Sequence, residues 1–329
     1  MTKKGTILSG MRPTGRLHLG HHSVLNNWVQ LQDLYHCFFM VADWHALTTG
    51  WEEAKEIRPN TREMVADWLA AGLDPEKSVI FSQSEVQEHA ELHLLFSMIM
   101  PLSWLERVPT YKDQIKKLGE MGKDINTYGF LGYPLLQAAD ILVYKANAVP
   151  VGEDQLPHVE LTRETARRFN HLFKPVFPEP QGIINRELAV LPGLDGAKMS
   201  KSYHNYISMG ADPDEIKKSV NQMITDPNRI RKTDRGNPEV CVVHKFHRIY
   251  NGQLLEGIEA DCRSGSMGCV ACKKQLSAVL DQELGPIRER REKVLSQKGY
   301  IEEVLKDGAE RARTAAGATL QEVRKAIFG

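Results

Sequence analysis

Three short apolar runs rich in β-branched and aromatic residues mark the first hundred positions: residues 5–9, 36–43 and Ser78–Ser82. Between them apolar positions recur at helical spacing. The first such stretch is 22–34, with Val24, Leu25, Trp28, Val29 and Leu31, and the second is 53–72. Strands alternating with helices predict a parallel, doubly wound α/β sheet of Rossmann type with right-handed crossovers. Further helices are predicted over 91–100, 132–146 and 156–173. Four prolines (Pro175, Pro178, Pro180 and Pro192) argue against helix between 174 and 194. From residue 213 every pattern is helical: 213–226, 244–250, 254–262, 273–295, and two more helices to Phe328. No strand pattern follows residue 210. A sheet domain with a helical insertion is therefore expected over 1–208, followed by an all-helical domain over 209–329.

Composition narrows the class only modestly. Forty-two basic and 42 acidic residues cancel, so any contact with nucleic acid must be local. No apolar run reaches the ~18 residues needed to span a membrane. Met-Thr-Lys-Lys-Gly before the first strand leaves no room for a signal peptide, which makes a cytoplasmic location the expectation. Five cysteines are present, and four of them fall between Cys241 and Cys272. In a reducing compartment that bunching favours a metal over disulfides.

The chemistry concentrates in two loops. The first, from Met11 to His21, joins the first strand to the first helix and carries His18-Leu-Gly-His21. A helix N-terminus there offers backbone N–H groups to an anion, two imidazoles can donate to phosphate oxygens, and Gly20 has no Cβ to hold a nucleotide away. The second is Lys198-Met-Ser-Lys-Ser202, after Gly193 and Gly196. Two ammonium groups and two hydroxyls suit a triphosphate whose outer groups must be held while the α-phosphorus is attacked. Two lysines alone would read as a solvated loop. The pairing with the two-histidine loop makes the difference.

Together the loops resemble the paired signature of class I aminoacyl-tRNA synthetases. Ala42-Asp-Trp-His-Ala-Leu47, Tyr133-Pro-Leu-Leu-Gln-Ala-Ala-Asp-Ile-Leu142 and Val149-Pro-Val-Gly-Glu-Asp-Gln155 are similar to the tryptophanyl-tRNA synthetase family. The similarity continues through Leu161-Thr-Arg-Glu-Thr-Ala-Arg-Arg-Phe-Asn170 into the helical region, so it covers nearly the whole chain. It implies ATP-dependent ligation of L-tryptophan to tRNA(Trp) through a tryptophanyl-adenylate, with release of AMP and pyrophosphate. It also implies Mg2+ with the ATP, a homodimer, and a helical second half that binds the anticodon arm. Carried onto this chain, the catalytic residues are His18, His21, Lys198 and Lys201. The ATP site adds Arg12, Pro13, Thr14, Gly20, Gly152, Glu153, Asp154, Met199, Ser200 and Ser202.

The resemblance assigns the indole N–H of tryptophan to Asp140, with His45 and Gln155 beside it. A carboxylate suits a ring that offers one donor and no acceptor, and a charge-assisted bond there contributes about 1.5–3 kcal/mol. A satisfied core histidine is an equal reading of His45. Lys112 either reaches phosphate or is a plain surface lysine. Two departures stand out. Gln137 occupies a position where many members have methionine, and Tyr133-x3-Gln137-x2-Asp140 resembles the pocket of the sister tyrosyl enzymes. The Asp-Trp-His and Gly-Glu-Asp-Gln segments resemble the tryptophanyl side. The first signature histidine, often threonine in bacterial members, is His18.

Cys241-x20-Cys262-x6-Cys269-x2-Cys272 supplies four thiolates that can hold zinc or a 4Fe–4S cluster. Only one pair is close in sequence, which tilts the reading towards the cluster, and a subset of tryptophanyl enzymes resembles this arrangement. The basic run from Arg229 to Arg235, with Lys273 and Lys274, reads either as a rim meeting RNA phosphate or as a solvated face. Cys37 is expected in the core.

Overall fold

The strand β1, Thr6–Met11, lies at the centre of a five-stranded sheet in the order β3-β2-β1-β4-β5. Its neighbours are β2 (His36–Val41) and β4 (Ala148–Pro150), while β3 (Ser78–Ser82) and β5 (Gln181–Ile183) form the edges. Every pairing is parallel, with Ile7 facing both Cys37 and Ala148. The computed structural model describes residues 2–109, 111, 115, 119, 125–184 and 191–329. Lys112 lies outside them.

Alternation along the strands builds a core on each face of the sheet. Ile7, Cys37, Phe39, Val41 and Ile80 face one layer. There α1 (Leu19–Leu34) and α3 (Ile57–Ala71) pack Trp28 on Phe39 at 4.6 Å between ring centroids, with Trp68 edge-on at 5.3 Å. Leu8, Phe38, Met40, Val79 and Phe81 face the other layer. It is closed by α4 (Glu88–Ser97), the short α5 (Leu102–Glu106), α6 (Tyr128–Val143) and α7 (Leu156–Leu172).

Beyond residue 209 the described chain is helical: α8 (Pro213–Gln222), α9 (Val242–Tyr250), α10 (Leu255–Ser264), α11 (Cys269–Ser296) and α12 (Tyr300–Phe328). These helices do not build a separate core. Ile216, Val242, Leu276 and Leu284 join the layer that contains Trp28 and Trp68.

Three expectations change. The second helix starts at Ile57, because Trp51–Glu56 turn as a 3-10 segment in which Glu53 leaves helical geometry (φ −103°). β4 and β5 carry no periodic pattern, being three residues each. The two final helices are one, running unbroken through Gly308 and Gly317.

That last helix wraps the edge strand β3. Ile301 and Val304 enter one core layer, and Ala309, Ala312, Ala316 and Leu320 enter the other. Gly308 sits at the crossing, where a Cβ would collide with the backbone carbonyl of Ile80. The open edge of β3 is thus covered by a helix that could not come so close with any side chain at that position. Gly308→Ala should destabilise the protein by about 3 kcal/mol, since neither backbone can yield to the added methyl. Urea unfolding measures it, and an unchanged midpoint would refute the close crossing.

Candidate functional site

The strand order reverses between β1 and β4, and a cavity of about 380 Å³ opens at the carboxyl ends of these strands. An open α/β sheet places its ligand at such a switch point. Ser9, Gly10, Met11 and Arg12 form one wall and Val149–Gly152 another, with residues of α1, α2 (Asp43–Gly50), α6 and the start of α7 around them. His45, Tyr133, Gln137, Asp140 and Gln155 all line it.

Asp140 is 1 % exposed and its carboxylate is bonded on both oxygens. His45 Nε2 lies 2.8 Å from Oδ2, while His89 Nδ1 at 2.7 Å and Gln83 Nε2 at 2.8 Å meet Oδ1. Burial by itself would raise this carboxyl; the donors from His45 and His89 outweigh it and hold the group well below the usual carboxylate range. The group is therefore an anion with one acceptor place left on Oδ2. Asp43, by contrast, is structural. It accepts from Ser84 N at 3.0 Å and Trp44 N at 2.9 Å, tying α2 to the end of β3.

In the first loop, α1 begins at Leu19 with a reciprocal cap. Gly20 N donates to His18 Nδ1 at 3.2 Å and His18 N donates to His21 Nδ1 at 3.3 Å. Leu19 N goes to Ile207 O at 2.9 Å and His21 N to His18 O at 2.7 Å. The first backbone N–H groups of the helix, expected to face an anion, are thus already used. The free donors are the Nε2–H edges of the two imidazoles, whose Nδ1 atoms accept. Burial is the main cause that lowers His18 to about 3, helped by its neighbour His21, with which it would have to share positive charge, and by the Lys201 ammonium. Burial and then Lys201 lower His21 to about 4. Both rings are neutral at physiological pH.

The two loops meet although nearly the whole sheet separates them in sequence. Lys201 Nζ donates to Thr14 O at 3.0 Å, and a Cβ on Gly20 would lie 3.7 Å from Met199 Sδ. His18 pairs backbone-to-backbone with Ser208, and its ring stands 5.9 Å from that of Tyr206. Burial lowers the Lys201 ammonium to about 8. Lys198 faces a different hollow, shared with Lys245 and Arg248. Ser202 belongs to the turn Lys201–Tyr203. Pro13 is buried beneath the first loop. Glu153 and Asp154 are exposed in a turn at the cavity rim, with Asp154 accepting from Gln155 Nε2 at 3.1 Å.

Asn205, absent from the sequence argument, organises the lysine loop. It accepts from Ser200 N at 2.8 Å and donates to Asp195 Oδ1 at 2.8 Å and Lys198 O at 3.2 Å. Gln83 and His89 were likewise not foreseen. Their only signal is position: one follows a strand end, and the other opens the helix after it.

The four cysteines come within electrostatic reach of one another. Burial first, and then the neighbouring thiols, push Cys272 up to about 12; the same causes raise Cys262, with Cys241 and Cys269 as its thiol neighbours. Arg229 Nη1 stands 3.8 Å from Cys262 Sγ, and His247 Nε2 stands 3.5 Å from Cys272 Sγ. The expected closed metal centre is not formed, however. Among the described residues no three His, Cys, Asp or Glu side chains are grouped to hold a metal ion. The expected basic rim is also partly used internally. Arg229 donates to Lys232 O and Met267 O, and Lys273 donates to Asn221 O and Met223 O.

Residues 1–285 match the family model described as class I tRNA synthetases for tryptophan and tyrosine. The tryptophan–tRNA ligase of Thermotoga maritima is 51% identical, with 98% of this chain and 98% of that protein aligned. The one from Aquifex aeolicus is 45% identical over 98% of this chain and 99% of its own. Among solved structures, tryptophanyl-tRNA synthetase from Campylobacter jejuni complexed with ADP and tryptophan superposes with a TM-score of 0.88 at 31% identity, covering 98% and 99% of the two chains.

The imidazole pair gives a direct test. His18 and His21 should keep the neutral Nε2–H form down to about pH 5, read from imidazole 15N shifts. Their lowered values also mean that the unfolded chain takes up protons first as pH falls below the ordinary histidine range, so folding stability should decline there. Protonation of both rings near pH 6.5 in the folded protein would overturn the cap-fixed tautomers.

Proposed function

Because the chain belongs to the class I tRNA synthetases for tryptophan and tyrosine and works as a tryptophan–tRNA ligase, we propose that its cavity seats tryptophan with the indole N–H on Asp140 Oδ2. The observation that carries this reading is a buried anion on the cavity wall with one acceptor place open. Indole brings one donor and no acceptor, so it satisfies that place and leaves nothing unpaired. His45 holds Oδ2 from the side, and Gln155 lies within reach of the amino-acid end.

ATP, entering with Mg2+ as its substrate complex, lies between the first loop and the lysine loop. Arg12, Pro13, Thr14 and Gly20 line one side and Met199, Ser200 and Ser202 the other, with Gly152, Glu153 and Asp154 at the rim. A carboxylate oxygen of tryptophan attacks the α-phosphorus, the bond to the bridging oxygen of the β-phosphate breaks, and pyrophosphate leaves. The 3′-terminal ribose hydroxyl of tRNA then attacks the acyl carbon and AMP departs. Neutral His18 and His21 contribute hydrogen bonds but no charge. Neutralising the pyrophosphate therefore falls first to Lys201, which already rests on the first loop, and to Lys198 once its side chain turns from the neighbouring hollow towards the phosphates; a polyphosphate would draw Lys201 back towards its fully charged state.

Residues 1–208 carry this chemistry and the helical residues 209–329 meet the anticodon arm of tRNA(Trp). Exposed Leu94 on α4, Met98 just past its end and Leu102 opening α5 are apolar surface that pairing of two chains as a homodimer would cover. Among the described residues no helix is long and apolar enough to cross a membrane, which suits a cytoplasmic enzyme.

Cys241, Cys262, Cys269 and Cys272 hold a 4Fe–4S cluster, with zinc as the alternative. What supports it is the chemistry of the donors: four thiols near enough to raise one another match the one thiolate that such a cluster takes per iron. Bound there, such a group would stabilise the thiolates that burial otherwise disfavours.

Two measurements check these readings. Asp140→Asn should raise KM for tryptophan at least tenfold in ATP–pyrophosphate exchange while KM for ATP stays put, about the effect of losing a hydrogen bond to a charge. Undiminished tryptophan use would remove Asp140 from the indole contact. Anaerobically purified protein should be brown with about four irons and four sulfides per chain, and Cys272→Ser should lose both. One zinc per colourless chain would replace the cluster with the alternative.

A further inference from the structure

The donors on Asp140 divide by side. His45 and Asp140 line the cavity, whereas His89 and Gln83 are both fully buried behind it. His89 Nδ1 and Gln83 Nε2 fill the two acceptor places of Oδ1, and His45 takes one place on Oδ2. The remaining place is on Oδ2, the oxygen held by the cavity-lining His45.

His89 is itself held. Its Nε2 lies 2.7 Å from the hydroxyl of Tyr144, which follows α6 one turn after Asp140, and its ring stands 5.3 Å from that of Tyr144. With Nδ1–H committed to the carboxylate, Nε2 accepts from the tyrosine O–H, which fixes the tautomer. Gln83 turns its amide nitrogen to Oδ1 although its Oε1 then has no partner among the described residues. A buried oxygen without a partner is costly, so the carboxylate dictates this orientation.

We infer that His89, braced by Tyr144 and assisted by Gln83, is a positioning residue for tryptophan selection: it locks Oδ1 so that Oδ2 is presented to the indole N–H. This rests on the reading of Asp140 as the indole acceptor. Without His89, Oδ1 is half-satisfied, and the carboxylate can rotate to share its acceptor places between His45 and Gln83. The oxygen facing the cavity then loses its fixed direction. His89 touches no substrate, so its effect must pass through the carboxylate and be confined to ligands that use it.

The test is ATP–pyrophosphate exchange with tryptophan and with 3-(benzothiophen-3-yl)alanine, in which sulfur replaces the ring N–H. His89→Leu should raise KM for tryptophan about tenfold, the loss expected for one weakened hydrogen bond to a charge. KM for ATP should stay unchanged, and the benzothienyl analogue should show little of the penalty. His89→Asn, whose amide nitrogen can stand where Nδ1 stood, should restore most of the loss. Tyr144→Phe keeps the ring packing and removes only the brace, so it carries the test if His89→Leu does not fold; a smaller rise of the same selectivity is expected. Equal penalties for tryptophan and the analogue would reduce His89 to a packing residue and overturn the inference. Asp140→Asn separates the two levels. If it leaves tryptophan KM unchanged, the indole contact itself is wrong. If it raises KM while His89→Leu and Tyr144→Phe do not, only the positioning role fails.

Discussion

A carboxylate cannot be buried beneath a cavity unless nearly every lone pair has a donor, and the architecture around Asp140 follows from that constraint. The donors come from three separate elements: α2 through His45, the turn after β3 through Gln83, and α4 through His89. Asp140 itself sits on α6, so four pieces of chain converge on one side chain. α4 and α6 are fixed to the sheet by apolar packing, with Phe38 and Phe81 against Tyr144 and Leu92 in the same layer. Removing the charge would leave three buried donors unpaired, and removing one donor would leave the charge short. The group is thus a structural centre in its own right.

The histidine and lysine loops obey a different rule. The two histidines give up their positive charge to burial and spend their Nδ1 atoms on capping α1. What they retain is direction: two N–H edges aimed by a reciprocal cap. Charge is concentrated on lysines of the second loop, where Lys201 is already shifted down while it rests on Thr14. A site divided in this way can hold a polyphosphate with fixed dipoles and add cationic charge from a loop whose shape depends on Asn205.

Much of this was legible in the chain. The three long strands carry enough apolar residues to be read, and the two loops announce themselves by residue type. The short strands β4 and β5 do not, because three residues hold no period and their pairing is decided by the neighbours they meet. Gly308 gives no sign of its role in the pattern, because the missing Cβ matters only for what it admits to the helix surface, the backbone of Ile80. His89 and Gln83 are invisible for another reason: a buried polar partner is defined by what stands opposite it, fifty or more residues away. Asp140 looks reactive in sequence because its neighbours are apolar, but the residues that keep it charged have no local signature.

The helical half is bound to the histidine and lysine loops by polar connections as well as by the shared core. Asp67, on α3, accepts from Leu17 N in the first loop at 2.7 Å and from Arg291 Nε on α11 at 2.6 Å, and Arg291 also pairs with Glu63. The lysine loop is tied the other way, with Ile224 N donating to Leu194 O and Val242 N donating to Ile224 O, each at 3.0 Å. Val242 opens α9 directly after Cys241, and Arg291 lies on the helix that begins at Cys269. Breaking one partner out of a buried ion pair costs roughly 3–5 kcal/mol, far more than the thermal energy available to a loop motion. The histidine loop and the lysine loop are therefore both fastened to the helices that carry the cysteines. A shift of α11 or α9 must be taken up at Leu17 or Leu194, and the core layer shared by Trp68, Ile216 and Leu280 leaves no soft boundary between the halves to absorb it.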